Sequence, residues 1–102
     1  MKALAQWLIV VVATLKGYRK NEVLFLLAQS AHETGNWDRN ASQWWEDRNL
    51  FGMSEMQNEQ RRRRLRGVRL GPDGLMRAQF KTLLGSVLDR LDWDAQMGVG
   101  RG

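Results

Sequence analysis

Between Ala3 and Leu15 the chain reads ALAQWLIVVVATL, thirteen residues with no charge and only Gln6 and Thr14 polar. A helical bilayer span takes about 20 apolar residues, so this run is too short to cross, and it fits either a signal-peptide core or a buried helix. No small-x-small cleavage site follows, and the sequence continues into LKGYRKNE. A chain of 102 residues can build one hydrophobic core and not two, so losing this segment would leave little to pack. We therefore expect no membrane span and no cleavable signal, but a first helix over 3–15, apolar on nearly every side and hence buried. Gly17 lies just past its end, where a left-handed residue is wanted.

Asn21 is a good N-cap for a second helix, and Glu22 suits the positive end of its dipole. Val23, Leu24, Leu27, Ala28 and Ala31 then keep helical spacing, while Phe25 and Leu26 widen the apolar face. Gly35-Asn36 should stop this helix. From 36 to 52, NWDRNASQWWEDRNLFG reads as loop with one short helical turn. Residues 53–74 are charged and finish in LGPDG, a turn signal holding the only proline, so a small irregular β-hairpin lobe is expected there. Two readings stay open after Leu75. The spacing Phe80, Leu83, Leu84, Val87, Leu88, Leu91 counts as an amphipathic helix. LMRAQF equally fits a returning strand, with Thr82 capping a helix to about Trp93. Without repeats or linkers, residues 1–102 are expected to form one α+β, mainly α domain with a disordered tail over about 95–102.

Hydrophobic residues make up 43% and charged residues 26%, which argues against disorder. Sixteen Lys and Arg against eleven Asp and Glu give a net +5, which favours polyanionic partners. The excess is local, because RRRRLRGVR (61–69) holds six arginines in nine residues. The absence of cysteine removes disulfides, thiolate metal sites and thiol nucleophiles.

The single histidine, His32, precedes Glu33 at the end of the second helix. HETGN has no second histidine a turn later, so a zincin-type site is out and no metal or other cofactor is expected. Ser30 lies on the other side of the helix from His32 and no strand–Ser–helix elbow surrounds it, which weakens a Ser-His-Asp triad. The glycines show neither phosphate-cradling nor dinucleotide spacing. A lone carboxylic acid remains. At the negative end of an apolar helix, burial and the helix dipole both favour a protonated carboxyl, as glycoside cleavage requires of its acid. The plainer alternative is a polar residue on the solvent side of a helix end.

LLAQSAHETGNW (26–37), then about a dozen residues, then NLFGM (49–53), resembles the glucosaminidase-type peptidoglycan hydrolases of the lysozyme superfamily, glycoside hydrolase family 73 and its phage relatives. AQFKTLLGSVLDRLDW (78–93) is similar to that family's third motif. The resemblance implies a lysozyme-like fold, cleavage of peptidoglycan β-1,4 bonds, Glu33 as general acid, and Asn49, Leu50, Phe51 and Gly52 bracing the cleft. The family usually opens its third motif with a tyrosine counted among the catalytic machinery. Phe80 stands in that place here, and Tyr18, the only tyrosine, cannot be matched to it.

A second carboxylate would stand about 5 Å away for retaining chemistry and roughly 6.5–9.5 Å away for inverting chemistry. The candidates are Asp38, Glu46, Asp47, Glu55, Glu59 and Asp73, with Glu55 and Glu59 ranked first for lying in the lobe where lysozyme-like folds place the partner. The substrate's own acetamido group can also serve as nucleophile. His32 is counted with the cleft, although a backbone contact would explain it equally. Trp37, Trp44 and Trp45 divide between sugar-stacking and core, since indole faces suit both. Phe80 joins the substrate-binding set by its place in the third motif. The arginine run reads as a solvated hairpin that could also hold the anionic wall.

The expected enzyme is thus a monomeric bacteriolytic glycosidase of endolysin or virion-associated type, acting on the cell wall from the periplasm or from outside. A lytic transglycosylase is a rival, although NLFGM stands where that family shows a GLMQ-like segment. A wall-binding domain with an idle acid is another. A nucleic-acid module would interleave aromatics with the basic residues, and 61–71 has none, so no nucleic acid is expected.

Overall fold

In a computed structural model of the chain, which describes residues 2–54 and 62–97, the elements run α1 (Lys2–Leu15), α2 (Lys20–Thr34), α3 (Trp44–Asp47), β1 (Leu65–Leu70), β2 (Met76–Phe80) and α4 (Leu83–Gln96). Among the described residues the architecture is α+β and mainly α, with one two-stranded antiparallel hairpin. No described helix is long and apolar enough to cross a membrane.

Only one side of α1 is buried, through Ala5, Ile9 and Ala13, and this corrects the expectation of burial all round. Trp7 is 59% and Leu15 81% exposed, with Leu4 and Val10 also outside. Residues four apart form one stripe, and two alanines in it let the helix approach its neighbours closely. The larger side chains of Leu4, Trp7, Val10 and Leu15 face outward. A Schellman motif closes α1: Tyr18 N–H donates to Ala13 O (3.0 Å) and Gly17 N–H to Thr14 O (3.0 Å), with Gly17 at φ +90°.

The α2 N-cap is Arg19, two positions before Asn21, because the Glu22 carboxylate accepts from the Arg19 N–H (2.8 Å). Its buried face is also rotated from the apolar count. Val23, Leu26, Ser30 and Thr34 are inside, whereas Leu24, Phe25 and Ala28 are exposed. Two hydroxyls tolerate burial here because both are satisfied. Ser30 Oγ donates to Leu50 O (2.7 Å) and accepts from Trp37 Nε1 (3.1 Å), while Thr34 Oγ1 donates to Ser30 O (2.7 Å) and accepts from Trp37 N–H (2.8 Å). The stop at Gly35-Asn36 is as expected. Gly35, Asn36 and Trp37 are left-handed in succession, and a Cβ on Gly35 would stand 2.5 Å from that of Ala41.

Of the two readings after Leu75, the structure has the strand followed by the helix. Ala78 and Phe80 point into the core while Arg77 and Gln79 face the other way, the alternation a half-buried strand requires. Thr82 caps α4 by accepting from Gly85 N–H (2.9 Å). The helix continues to Gln96, past the expected end at Trp93 and into the expected tail, of which 98–102 lie outside the described residues. β1 pairs with β2 from Leu70↔Met76 to Gly67↔Gln79, with an irregularity between Gly67 and Leu65. Part of the arginine run ties the hairpin to the helices: Arg64 pairs with Asp92 (2.7 Å) and Asp89 (3.7 Å) on α4, and Arg66 donates to Glu46 O on α3.

At the hairpin tip, Asp73 accepts from Leu75 N–H (3.1 Å) and pairs with Arg77 (2.5 Å). The backbone hydrogen bond first, and Arg77 second, hold its carboxyl below the ordinary value of 3.8. A depressed folded pKa stabilises the turn above the ordinary value, and the contribution is lost as pH falls through the lowered one. In an NMR titration the Leu75 amide shift should follow this protonation. The same titration in Asp73→Asn should be flat, and an unchanged curve would contradict the assignment.

Candidate functional site

Segment 49–53 is fastened on three sides. Asn49 Nδ2 donates to Met53 O (3.0 Å) and to Ala78 O (2.9 Å) on β2, and its Oδ1 accepts from Met53 N–H (3.0 Å). Leu50 O takes the Ser30 hydroxyl from α2, and Leu50 N–H donates to Ser86 Oγ (3.3 Å) on α4. Asn49 is 4% exposed, so removing its amide strands buried partners. Asn49→Ala should destabilise the fold by about 2 kcal/mol in chemical denaturation. A loss within error would contradict this bracing role.

The segment brings Gly52 against Glu33. Gly52 is left-handed (φ +61°), and a Cβ there would run into Glu33 Oε2 and stand 2.9 Å from Glu33 Cδ. The acid at the end of α2 and the glycine of NLFGM, which the resemblance sets beside each other, are in contact. The burial expected for Glu33 is not found: the residue is exposed, since it projects from the last turn of α2 toward the open side.

Cavities flank this carboxyl. One, of about 380 Å³, is lined by Glu33, Asn49 and Gly52 together with Trp44, Asp47 and the hairpin residues Arg69 and Arg77. Another, of about 270 Å³, is lined by Gln29, His32, Glu33, Phe51 and Arg90. A third, of about 290 Å³, shares Gln29, Phe51 and Arg90 with the second and adds Gly52, Ser54 and Trp93. Adjoining hollows with Glu33 common to two of them make an open trough with an acid in its wall, with volumes near the lower end of small-ligand clefts.

Arg90 shapes the second half of this trough. It is 8% exposed, donates through Nε to Asp94 (2.9 Å) and also to Gln29, and lies over the rings of Phe51 (5.1 Å) and Trp93 (5.8 Å). Tyr18 OH donates to the other Asp94 oxygen (3.2 Å), which places the only tyrosine behind Arg90 rather than in the trough. Asp47 is 2% exposed, accepting from Arg69 Nε (3.0 Å) and from Gln79 Nε2 (3.1 Å).

Of the expected site residues, Glu33, His32, Asn49, Phe51 and Gly52 line the trough. Trp44 also lines it, although the residue is nearly buried and its Nε1 donates to Asp38 O (2.8 Å). Two expectations, those for Trp37 and Phe80, are corrected. Trp37 is a core residue, fixed by Ser30. Trp45 is half-buried against the core, with the guanidinium groups of Arg39 (4.8 Å) and Arg48 (4.0 Å) over its ring. Phe80 is fully buried, because its inward register on β2 sends it into the core and away from the trough. Glu55 and Glu59 lie outside the described residues. Asp47, ranked below them, is the second carboxylate that shares a cavity with Glu33. Gln29, Arg77 and Arg90 were not singled out from the sequence, and Arg69 only as part of the arginine run; period-two alternation in β1 and β2 is the signal that would have put Arg69 and Arg77 on one face.

Among the described residues no group of three His, Cys, Asp or Glu could hold a metal ion. Ser30, buried and committed to Leu50 O, is not placed to act as a nucleophile. No protein-family model matches the chain, and no curated protein or solved structure matches it either.

Proposed function

We propose that the chain is a lysozyme-like glycoside hydrolase that cleaves β-1,4 bonds in the glycan strands of peptidoglycan, with Glu33 as the proton donor. The observation that carries this reading is the contact between the Glu33 carboxyl and the backbone of Gly52 in a trough open on both sides of the acid. A sugar chain laid along the trough would present a glycosidic oxygen to Glu33, which protonates it as the C1–O bond breaks. Phe51, nearly buried beneath Arg90, lies beside the acid, and the Gly52 backbone of the fastened segment 49–53 limits where the carboxyl can go.

Both oxygens of Asp47 already accept hydrogen bonds from Arg69 and Gln79. The route that asks least of the protein is therefore substrate-assisted. The oxygen of the sugar's own acetamido group attacks C1 while Glu33 gives its proton to the leaving oxygen. Water, deprotonated by Glu33, then opens the cyclic intermediate. A wall-binding domain with an idle acid is the second reading, favoured by Phe80, which has no hydroxyl and is wholly buried.

Digestion of purified peptidoglycan, with mass spectrometry of the released fragments, tests the proposal. New reducing ends are the expected products, and the terminal sugar names the bond. Anhydro ends would replace hydrolysis by transglycosylation, and wall binding without release would leave only the second reading.

A further inference from the structure

The hairpin contributes to the trough in a way that its general basicity does not explain. The β1–β2 register sets Arg69 directly opposite Arg77. By the strand period, these two share a face with Gly67 and Gln79, and that face looks toward Asp47 and Glu33. Two cations side by side across a strand pair repel, so the arrangement needs anions beside it.

The two arginines are neutralised unequally. Arg69 gives Nε and an amino group to the buried Asp47, at 3.0 and 2.8 Å, and is committed to the structure. Arg77 gives one amino group to Asp73, whose side chain is 44% exposed. A guanidinium carries five N–H donors in a planar fork, and the fork fits a carboxylate bidentately. Among the described residues, Arg77 thus places a partly used fork in the wall of the cavity that Glu33 also lines.

We infer that Arg77, backed by Arg69, forms a carboxylate-binding subsite at the hairpin side of the trough. The preferred glycan is then one whose sugars bear acid groups, the lactyl or stem-peptide carboxylates of peptidoglycan, and not a neutral acetamido polymer such as chitin. This rests on the glycan-hydrolase reading and makes Arg77 a specificity determinant for it.

The test measures binding as well as turnover. Calorimetry with Glu33→Gln, which binds without cutting, compares three probes: an N-acetylglucosamine–N-acetylmuramic acid oligomer, the same oligomer with its carboxyls converted to methylamides, and a chitin oligomer of equal length. The acidic oligomer should bind roughly tenfold more tightly than either neutral probe. Adding Arg77→Gln should erase the preference, and Arg77→Lys should keep part of it, retaining charge without the fork. Asp73→Asn, which removes the existing pair and leaves Arg77, should preserve it. In the otherwise native enzyme, Arg77→Gln should raise KM on peptidoglycan and leave kcat unchanged. Equal affinity for acidic and neutral probes, or a preference that survives Arg77→Gln in a folded protein, overturns the subsite. Selective binding by a wild type that releases nothing supports the subsite and rejects hydrolysis. Equal cleavage of acidic and neutral glycans supports hydrolysis and rejects the subsite, and absence of binding to every probe rejects both.

Discussion

Glu33→Gln should lower the rate of glycan cleavage by roughly 10²–10⁴-fold, the usual contribution of a positioned general acid, while leaving the melting temperature nearly unchanged. The amide keeps the size of the side chain but cannot give up a proton to a leaving oxygen. Stability should hold because Glu33 is exposed and makes no hydrogen bond or ion pair among the described residues. Reducing-end assays on purified walls, run beside thermal melts, separate the two quantities. A variant that cuts as fast as wild type would remove Glu33 from the chemistry altogether.

Gly52→Ala should cost nearly as much activity for a different reason. Alanine at φ +61° is strained by about 1–2 kcal/mol, and its methyl occupies the space of the Glu33 carboxyl. The flexible end of the glutamate can yield more easily than a backbone fastened through Asn49 and Leu50, so the acid should be displaced. A shift on the order of 1 Å in a reacting group costs roughly 10²-fold. The melting temperature should fall only by the strain. In the double variant with Glu33→Gln, the activity loss from Gly52→Ala should largely vanish, because the group it displaces no longer acts. Full activity in Gly52→Ala would mean that the contact does not position the acid.

The parts of this molecule legible in the sequence are those written in local backbone chemistry. Gly35-Asn36 stops α2 because left-handed residues follow, and LGPDG turns the hairpin at Asp73 and Gly74. Thr82 caps α4 as one of the open readings had it. Tertiary choices were less legible. The apolar run of α1 gives no hint that Ala5, Ile9 and Ala13 would be the side taken into the core and Trp7 the side left out, since hydrophobicity alone does not rank faces. Ser30 and Thr34 displace Leu24 and Phe25 from the interior of α2 through partners on other segments, which no helical count contains. At the site, His32-Glu33 and NLFGM were legible as motifs. Asp47, Arg69 and Arg77 enter through the pairing of the hairpin and its contact with α3, which the sequence does not order. The indoles of Trp37 and Trp45 were ambiguous because stacking on a sugar, packing in a core and holding a guanidinium all suit the same ring.

The anchors of segment 49–53 have a consequence for biosynthesis. Leu50 is held by Ser30, 20 positions before it, and by Ser86, 36 positions after it, while Asn49 reaches Ala78, 29 positions on. Each is a long loop to close, and two of the three partners are made late. Because chains are synthesised from the N-terminus, Glu33 leaves the ribosome well before β2 and α4 exist to shape the trough around it. A nascent chain therefore displays the acid without its setting, and the trough takes form only when the last helix docks.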